Sequence, residues 1–483
     1  MSRGLPAGFG VVLDRQTRVL DGGRVLLGGS PRRALKLSPA GVGAFRRLLA
    51  SGSVTDGPTG RLARRLVDAG VAHPRPPVRV DAEVTVIVPV RDRAESLSRC
   101  LAALAGASVL VVDDGSVDPA AVAAVVARHG ARLLRRPVCG GPAAARNTGL
   151  AALRPVAAEL VAFVDSDCVP SPGWLDRLAG HFADPAVVAV APRIVPVAAP
   201  DAGRVLGAFA ADRSPLDLGP DEALVRPGGR VSYVPTAALV VRRAALDEFD
   251  EALRYGEDVD AVWRLIAAGG VVRYDPTVIV AHAEPATWSA WLRRRHLYGT
   301  SAGPLARRHP DRLAPLVLSP WPAAVTALLL ARRPVLAAAT GAVAAARLAS
   351  KLRADGLPPS IAAPMIAEAT AATLTATGRA VTQLALPAAV ALSARRPRRL
   401  ATLAALVAAP ALRDWLRLRP SLDPVRWTLA GIADDLAYGA GVWRGAVRAR
   451  TARPLLPARV RLPGLGRSER RRGGCLARPR KET

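Results

Sequence analysis

Apolar residues along this chain change their spacing twice, and those changes divide it. From Gly8 to Leu27 they alternate loosely about Asp21-Gly22-Gly23, the pattern of a β-hairpin. Ser38-Pro39 then offers a helix cap followed by proline at the first helical position, ahead of Phe45, Leu48 and Leu49 at helical spacing. A second helix is expected over about residues 59–69, closed by Gly70. Hairpin plus short helices predicts a winged-helix-like module over residues 1–80, serving either as a brace packed on the next domain or as a peptide-docking unit. Pro74 to Pro77 read as a linker.

From Glu83 strands alternate with helices. Val84 to Val90 is a near-continuous β-branched run, as expected of a strand covered on both faces. A helix from about Ala94 to Ala105 leads to a second buried run, Val109 to Val112, ending in Asp113-Asp114-Gly115-Ser116. A helix near Pro119 to His129 and a short strand at Arg132 to Leu134 complete a βαβαβ unit. Right-handed crossovers predict an α/β architecture with an open parallel sheet over residues 81–303. A third run, Val161 to Val164, stops in Asp165-Ser166-Asp167. Ligands of such sheets bind at the carboxyl ends of the strands, where Asp92, Asp113, Asp114, Asp165 and Asp167 all fall.

Alternate residues of an extended chain point the same way, so Asp165 and Asp167 can face one site. Two hard oxygen ligands suit Mg²⁺ or Mn²⁺ shared with a phosphate; the plainer alternative is a turn or cap. Gly140 to Gly149 reads as a glycine turn entering a helix, which puts Arg146 and Asn147 near an anion-attracting N-terminus. Ala237 to Val241 is a strand expected to line the acceptor side. Tyr255-Gly256-Glu257-Asp258 opens another helix, and dipole complementation suffices to explain Glu257 or Asp260. The strand Val278 to Ala281 ends in His282. Trp288 to Gly303 is basic and aromatic, and its Arg293, Arg294 and Arg295 form either a diphosphate clamp or a solvated face.

Over residues 304–463 the chain becomes Ala- and Leu-rich helix punctuated by Pro and Arg. Leu313 to Ala331 is its longest uncharged stretch, interrupted by Pro315, Pro320 and Pro322. A soluble Ala-rich bundle and a membrane-associated helical region both fit. The Arg clusters 395–399 and 470–472 beside apolar stretches favour association with the cytoplasmic leaflet. The basic tail 464–483 is expected to be disordered.

Charge changes this picture little. Lys and Arg number 67 against 39 acids, a net +28, yet only Lys36, Lys351 and Lys481 are lysine. Abundant Arg with Ala, Gly and Pro reads as a GC-rich coding bias, and neither an aromatic-rich RNA-binding signature nor metal-finger spacing is present, so no nucleic-acid partner is expected. A basic surface still favours nucleotide-sugars and acidic headgroups. Four cysteines without CxxC spacing and no signal peptide predict a cytoplasmic location at the inner face of the membrane.

The segments VTVIVPVRDR, VVDDGS, ARNTGL and FVDSD, in that order and spacing, resemble the family-two inverting glycosyltransferases with their GT-A fold. That resemblance implies a UDP-sugar donor. It puts Asp113 and Asp114 on uracil and ribose, with Pro89, Asp92, Arg146 and Asn147 also around the nucleotide-sugar. Asp165 would meet the sugar-side ribose and Asp167 the metal, with His282 at a position where some relatives place a third metal ligand. A structural histidine is the alternative there. Asp258 becomes the general base. The Gln-x-x-Arg-Trp motif of long-chain synthases is missing. LDGGRVLLGGSPRRALKLSPAG, LVDAGVAHPRP, GEDVDAVWRL and RRRHLYGTSAG extend the likeness, over nearly the whole chain, to the glycosyltransferases of the mycofactocin system. This implies UDP-glucose as donor and mycofactocin, a peptide-derived redox cofactor, or its precursor as acceptor, with a short β-linked glucose chain as product. The rival expectations are a membrane enzyme acting on polyprenyl phosphate or glycolipid, and a basic peptide-binding scaffold.

Overall fold

The computed structural model describes residues 4–30, 32–77, 82–153, 159–310 and 312–459. The expectation of a disordered tail and the cluster Arg470–Arg472 lie outside them. The N-terminal strands are β1 (Gly10–Leu13), β2 (Arg18–Leu20), β3 (Val25–Gly28) and β4 (Arg33–Lys36). Helices α1 (Pro39–Ser51) and α2 (Gly57–Asp68) come next, then β5 (Ala72–Arg75). The hairpin turns at Asp21–Gly23, where all three residues have positive φ. It is shorter than the alternation suggested: β2 pairs β3, whereas β1 pairs β5 across the module. That pairing also takes Pro74 and Arg75 out of the expected linker and into a strand. Ser38 Oγ accepts from the Gly41 N–H at 3.2 Å, fixing the start of α1 as its cap chemistry predicts. Phe9, Leu26, Phe45, Leu48 and Leu66 are buried together as the core of this part.

The central layer holds nine strands. In chain order these are β6 (Val84–Val90), β7 (Ser108–Asp114), β8 (Arg132–Arg136), β9 (Leu160–Val164) and β10 (Cys168–Pro170). Then come β11 (Val187–Val197), β12 (Ala223–Leu224), β13 (Ala238–Arg242) and β14 (Val271–Ala283). The order across the sheet is β10-β14-β11-β13-β9-β6-β7-β8, with β12 on the side of β14. β8, β7, β6 and β9 are parallel, as the βαβαβ pattern predicts. The sheet as a whole is mixed, because β13 inserts antiparallel between β9 and β11. Apolar faces on both sides carry separate cores: Val86, Val88, Val111 and Val164 on one, Ile87, Leu110, Val161 and Phe163 on the other.

Helices α3 (Ala94–Ala103), α4 (Pro119–Arg128), α5 (Pro142–Ala152), α6 (Trp174–Ala179), α7 (Arg204–Arg213) and α8 (Glu257–Ala267) cover or flank these faces. After β14 come α9 (Trp288–Thr300) and α10 (Ala302–Arg308). The remaining helices are α11 (Pro320–Leu330), α12 (Pro334–Ala354), α13 (Ala362–Ala380), α14 (Leu386–Ser393), α15 (Pro397–Leu418) and α16 (Pro424–Arg448). The long uncharged stretch from Leu313 therefore does not form one helix: its prolines delay α11 to Pro320. Among the described residues one helix, α12, is long and apolar enough to cross a membrane, and 17% of that segment is buried.

Two sets of contacts tie the N-terminal part to the rest. Arg64 reaches Asp184 at 2.6 Å with both side chains buried. Asp14 takes His73 at 2.9 Å and Arg230 at 3.0 Å. On the other flank Val25 and Leu27 pack against Leu352, Leu357 and Ile361 of the helical region.

Candidate active site

The cluster is assembled at the carboxyl edge of the sheet. β6 leads to Asp92, which sits at φ 54°, a left-handed conformation uncommon outside glycine. It is held there because its N–H donates to Ser116 Oγ at 2.9 Å and its Oδ1 accepts from the Val117 N–H at 2.6 Å. Asp92 thus clasps the loop after β6 to the loop after β7. Asp113 is 1% exposed; Oδ1 accepts from the Ser116 N–H, while Oδ2 has no hydrogen-bond partner among the described residues. Asp114 accepts from the N–H groups of Gly140 at 2.9 Å and Gly141 at 2.7 Å and from Arg136 Nε at 2.8 Å. That carboxylate folds the glycine turn ahead of α5, where Gly141 adopts φ 91°.

Arg146 lies early in α5 and is 2% exposed. It donates to Asp165 Oδ1 at 2.7 Å and to Glu257 Oε1 at 2.8 Å. One guanidinium therefore joins the acid at the end of β9 to the acid at the start of α8. Asn147 points elsewhere: its amide donates to the Phe249 carbonyl and accepts from the Phe249 N–H, and it also meets Glu251. Both its donor and acceptor atoms are committed to the chain.

α8 starts at Gly256, with φ 82°; an added Cβ would press on Ser301 and Leu305. The first turn then carries three acids with different fates. Glu257 is bound by Arg146. Asp260 is bound by Arg264 at 2.8 Å and His309 at 2.9 Å. Among the described residues Asp258 has no cation in contact, and its Oδ1 accepts only from the Val259 N–H at 2.8 Å. Burial first, and then the charge of Glu257, push its carboxyl up to about 7.

A cavity of about 1140 Å³ opens beside these groups and is lined by Arg146, Asp165, Asp167, Glu257, Asp258 and His282 among others. Pro89, Asp92, Asp113 and Asp114 lie at the strand ends outside its lining, and Asn147 is turned away from it. His282 is opposite Cys168 in the β10–β14 pair, which sets its ring near the Asp-Ser-Asp turn. His282 Nε2 is 3.8 Å from Asp167 Oδ1, and Nδ1 is 3.4 Å from Glu284 Oε1. Asp167 is also paired with Arg93, and Glu284 with Arg294 and Ser214.

This donor set fits a divalent cation of the Mg²⁺ or Mn²⁺ type. A carboxylate and an imidazole face each other, and a second carboxylate backs the imidazole as an orienting group. Among the described residues no three His, Cys, Asp or Glu side chains converge on one point. Mg²⁺ commonly takes one or two protein carboxylates and completes its shell with water and phosphate.

Residues 85–248 match the family model described as glycosyl transferase family 2. The chain is 44% identical over 476 residues to the pre-mycofactocin glycosyltransferase of Mycobacterium tuberculosis (strain H37Rv), a match covering 94% of this chain and 98% of that protein. The chain belongs to glycosyl transferase family 2. Other relatives align less completely. The succinoglycan biosynthesis protein ExoU of Rhizobium meliloti is 32% identical over 200 residues, 39% of this chain and 58% of that one. Among solved structures, S. aureus TarS 1-349 aligns at 19% identity and TM-score 0.35, over 46% of this chain and 65% of that one. GalNAc-T7, crystallised with UDP, GalNAc and Mn²⁺, aligns at 13% identity and TM-score 0.32, over 48% and 54%. The sheet of this family-2 glycosyltransferase has the GT-A organisation that its motifs imply.

Several side chains of the site were not singled out from the sequence. Arg93, Glu284 and Tyr233 line the same cavity. Glu284 had one legible signal, since it lies two positions beyond His282 at the end of β14, where alternate residues share a face. Arg93 closes the VTVIVPVRDR segment without being singled out there, and Tyr233 offered no signal.

Proposed function

We propose that this enzyme transfers glucose from UDP-glucose to pre-mycofactocin with inversion, building a short β-linked oligoglucoside. The acceptor is taken from the relative aligned over nearly the whole chain. A divalent metal shared with the diphosphate of the donor is supported by the facing pair Asp167 and His282.

The observation that carries the mechanism is the sorting of the three acids on α8. Of these, only Asp258 faces the cavity without a cation in contact. A general base must be able to hold a proton near the working pH, and a carboxyl raised to about 7 does so. Asp258 accepts the proton of the acceptor hydroxyl as that oxygen attacks the anomeric carbon. The bond to the UDP oxygen breaks on the opposite side of the sugar. Arg146 holds Asp165 in place for the donor ribose and keeps Glu257 from competing for the proton. Asp113, whose buried Oδ2 makes no hydrogen bond among the described residues and lies 3.8 Å from Arg135 Nε, is the uracil contact, and Asp114 shapes the glycine turn next to it. Asp167 and His282 would hold the cation, which when bound offsets the charge of the departing diphosphate.

The test is incubation of the purified enzyme with a panel of UDP-sugars, Mg²⁺ or Mn²⁺ and pre-mycofactocin, read by mass spectrometry. The expected result is mass gain in steps of one hexose, with UDP-glucose and only when a divalent cation is supplied. Transfer from another UDP-sugar alone, or undiminished transfer in chelator, would overturn the corresponding assignment.

A further inference from the structure

α16, more than a hundred residues beyond the acids, contributes Tyr438 to the cavity lining. Asp434 on that helix is 2% exposed, accepts from Trp291 Nε1 at 2.9 Å and lies 2.7 Å from Arg295 Nε. One turn later Tyr438 places its ring against the same guanidinium, 5.2 Å from the ring centre. Arg295 is therefore gripped from two sides, while its Nη atoms make no hydrogen bond among the described residues. It lines the cavity together with Tyr233, Tyr298 and Tyr438.

These groups line the same cavity as Asp258 and come from separate elements. Tyr233 precedes β13, Arg295 and Tyr298 lie on α9, and Tyr438 on α16. Burial raises the phenols of Tyr233, Tyr298 and Tyr438, that of Tyr298 to about 12, and the charge of Asp258 acts on the first two. All three phenols therefore stay protonated at neutral pH. Together they offer flat faces and hydroxyls, with free guanidinium donors at one side. The groups assigned to the donor come from other elements of the same cavity: Asp165 and Asp167 follow β9, and His282 is on β14.

We propose that Tyr233, Tyr298, Tyr438 and Arg295 form the acceptor subsite, so that α16 is part of the active site. The acceptor class is a ring, aromatic or pyranose, that lies against the phenol faces. One of its oxygen substituents accepts from Arg295 while its reacting hydroxyl points to Asp258. Asp434 is a positioning residue acting through Arg295. This deepens the proposed function and rests on Asp258 being the base.

The test uses the full-length enzyme with UDP-glucose, and two acceptors, pre-mycofactocin and its monoglucosylated product. Tyr438→Ala is expected to raise acceptor KM about tenfold, the scale of one lost ring contact, with donor KM unchanged. Asp434→Asn keeps an oxygen for Trp291 Nε1 but loses the charge facing Arg295, and is expected to raise acceptor KM in the same selective way. A rise confined to one acceptor identifies whether an aromatic or a sugar ring lies on Tyr438. If Tyr438→Ala does not fold, Tyr233→Leu carries the same expectation. Unchanged acceptor KM in the variants overturns the proposal. So does a parallel loss in both substrates' parameters with a lowered Tm, which marks α16 as a structural support only. If the wild type binds UDP but leaves pre-mycofactocin unmodified, it is the proposed acceptor that fails, and the subsite with it.

Discussion

Asp258 differs from its neighbours in what touches it. Glu257 and Asp260 end on guanidinium groups; Asp258 is faced by Glu257 on its own helix, Arg146 on α5, Asp165 after β9, and the phenols of Tyr233 and Tyr298. Its carboxyl moves from 3.8 to about 7 mainly through burial. Catalysis by its ionised form should therefore rise with pH and level off above about 7, which a kcat/KM profile reads directly. Stability runs the opposite way. The unfolded chain releases this proton near 3.8 and the folded protein near 7, so stability falls as pH climbs between those values. Asp258→Asn cannot ionise, so it should melt above the wild type at about pH 8, match it below about pH 3.8, and transfer no sugar. An Asn variant that melts lower on the alkaline side would show that the carboxylate is stabilising. The resemblance singled out Asp258, whereas helix-start chemistry alone could not distinguish three acids in one turn. Their difference lies in partners 111 and 49 positions away, Arg146 for Glu257 and His309 for Asp260.

Helix α16 packs on α9 and α10 through glycine. A Cβ at Gly441 would fall well inside van der Waals range of the His296 carbonyl oxygen. The same holds for Gly299 against the Tyr438 carbonyl and for Gly303 against that of Gly445. Bare backbone on both sides lets the helices approach closely enough for Asp434 to reach Arg295. Gly441→Ala has no room to relax, because the obstacle is main chain. It should cost roughly 1–3 kcal/mol by overpacking, seen as a lower Tm, and should raise acceptor KM if α16 withdraws from the cavity. The Ala-rich composition of residues 304–463 fitted either a soluble bundle or a membrane-associated region, and assigned no helix to the cavity. The sequence shows the helices here but not their mates: glycines at 299, 303, 441 and 445 acquire meaning only once two helices are known to face each other. The parallel half of the sheet was far more legible, since β6, β7 and β9 are contiguous apolar runs with acids at or just beyond their ends. The antiparallel β13 was not, because a run of Ala, Leu and Val records burial and not direction.

At the scale of the whole molecule, the N-terminal part is fastened by buried charge. Arg64 and Asp184 pair at 2.6 Å from positions 120 residues apart, and Asp14 gathers His73 and Arg230. Removing Asp184 leaves the buried Arg64 to its longer pair with Asp68 at 3.7 Å, so Asp184→Ala should cost up to roughly 3 kcal/mol in chemical denaturation, the low end for breaking a buried pair. The loss should be smaller in a double variant that also replaces Arg64 by Leu. Such fastening favours a brace over a freely presented docking unit, though nothing in the alternation of residues 8–27 announced it. Ion pairs of this span leave no periodic trace.

The placement of α16 also has a consequence for biosynthesis of the enzyme itself. Ribosomes deliver the sheet and its acids before the helix carrying Asp434 and Tyr438. A nascent chain thus acquires its acidic rim while Arg295 still lacks its two holders. Competence to glycosylate would then arrive abruptly, when α16 docks.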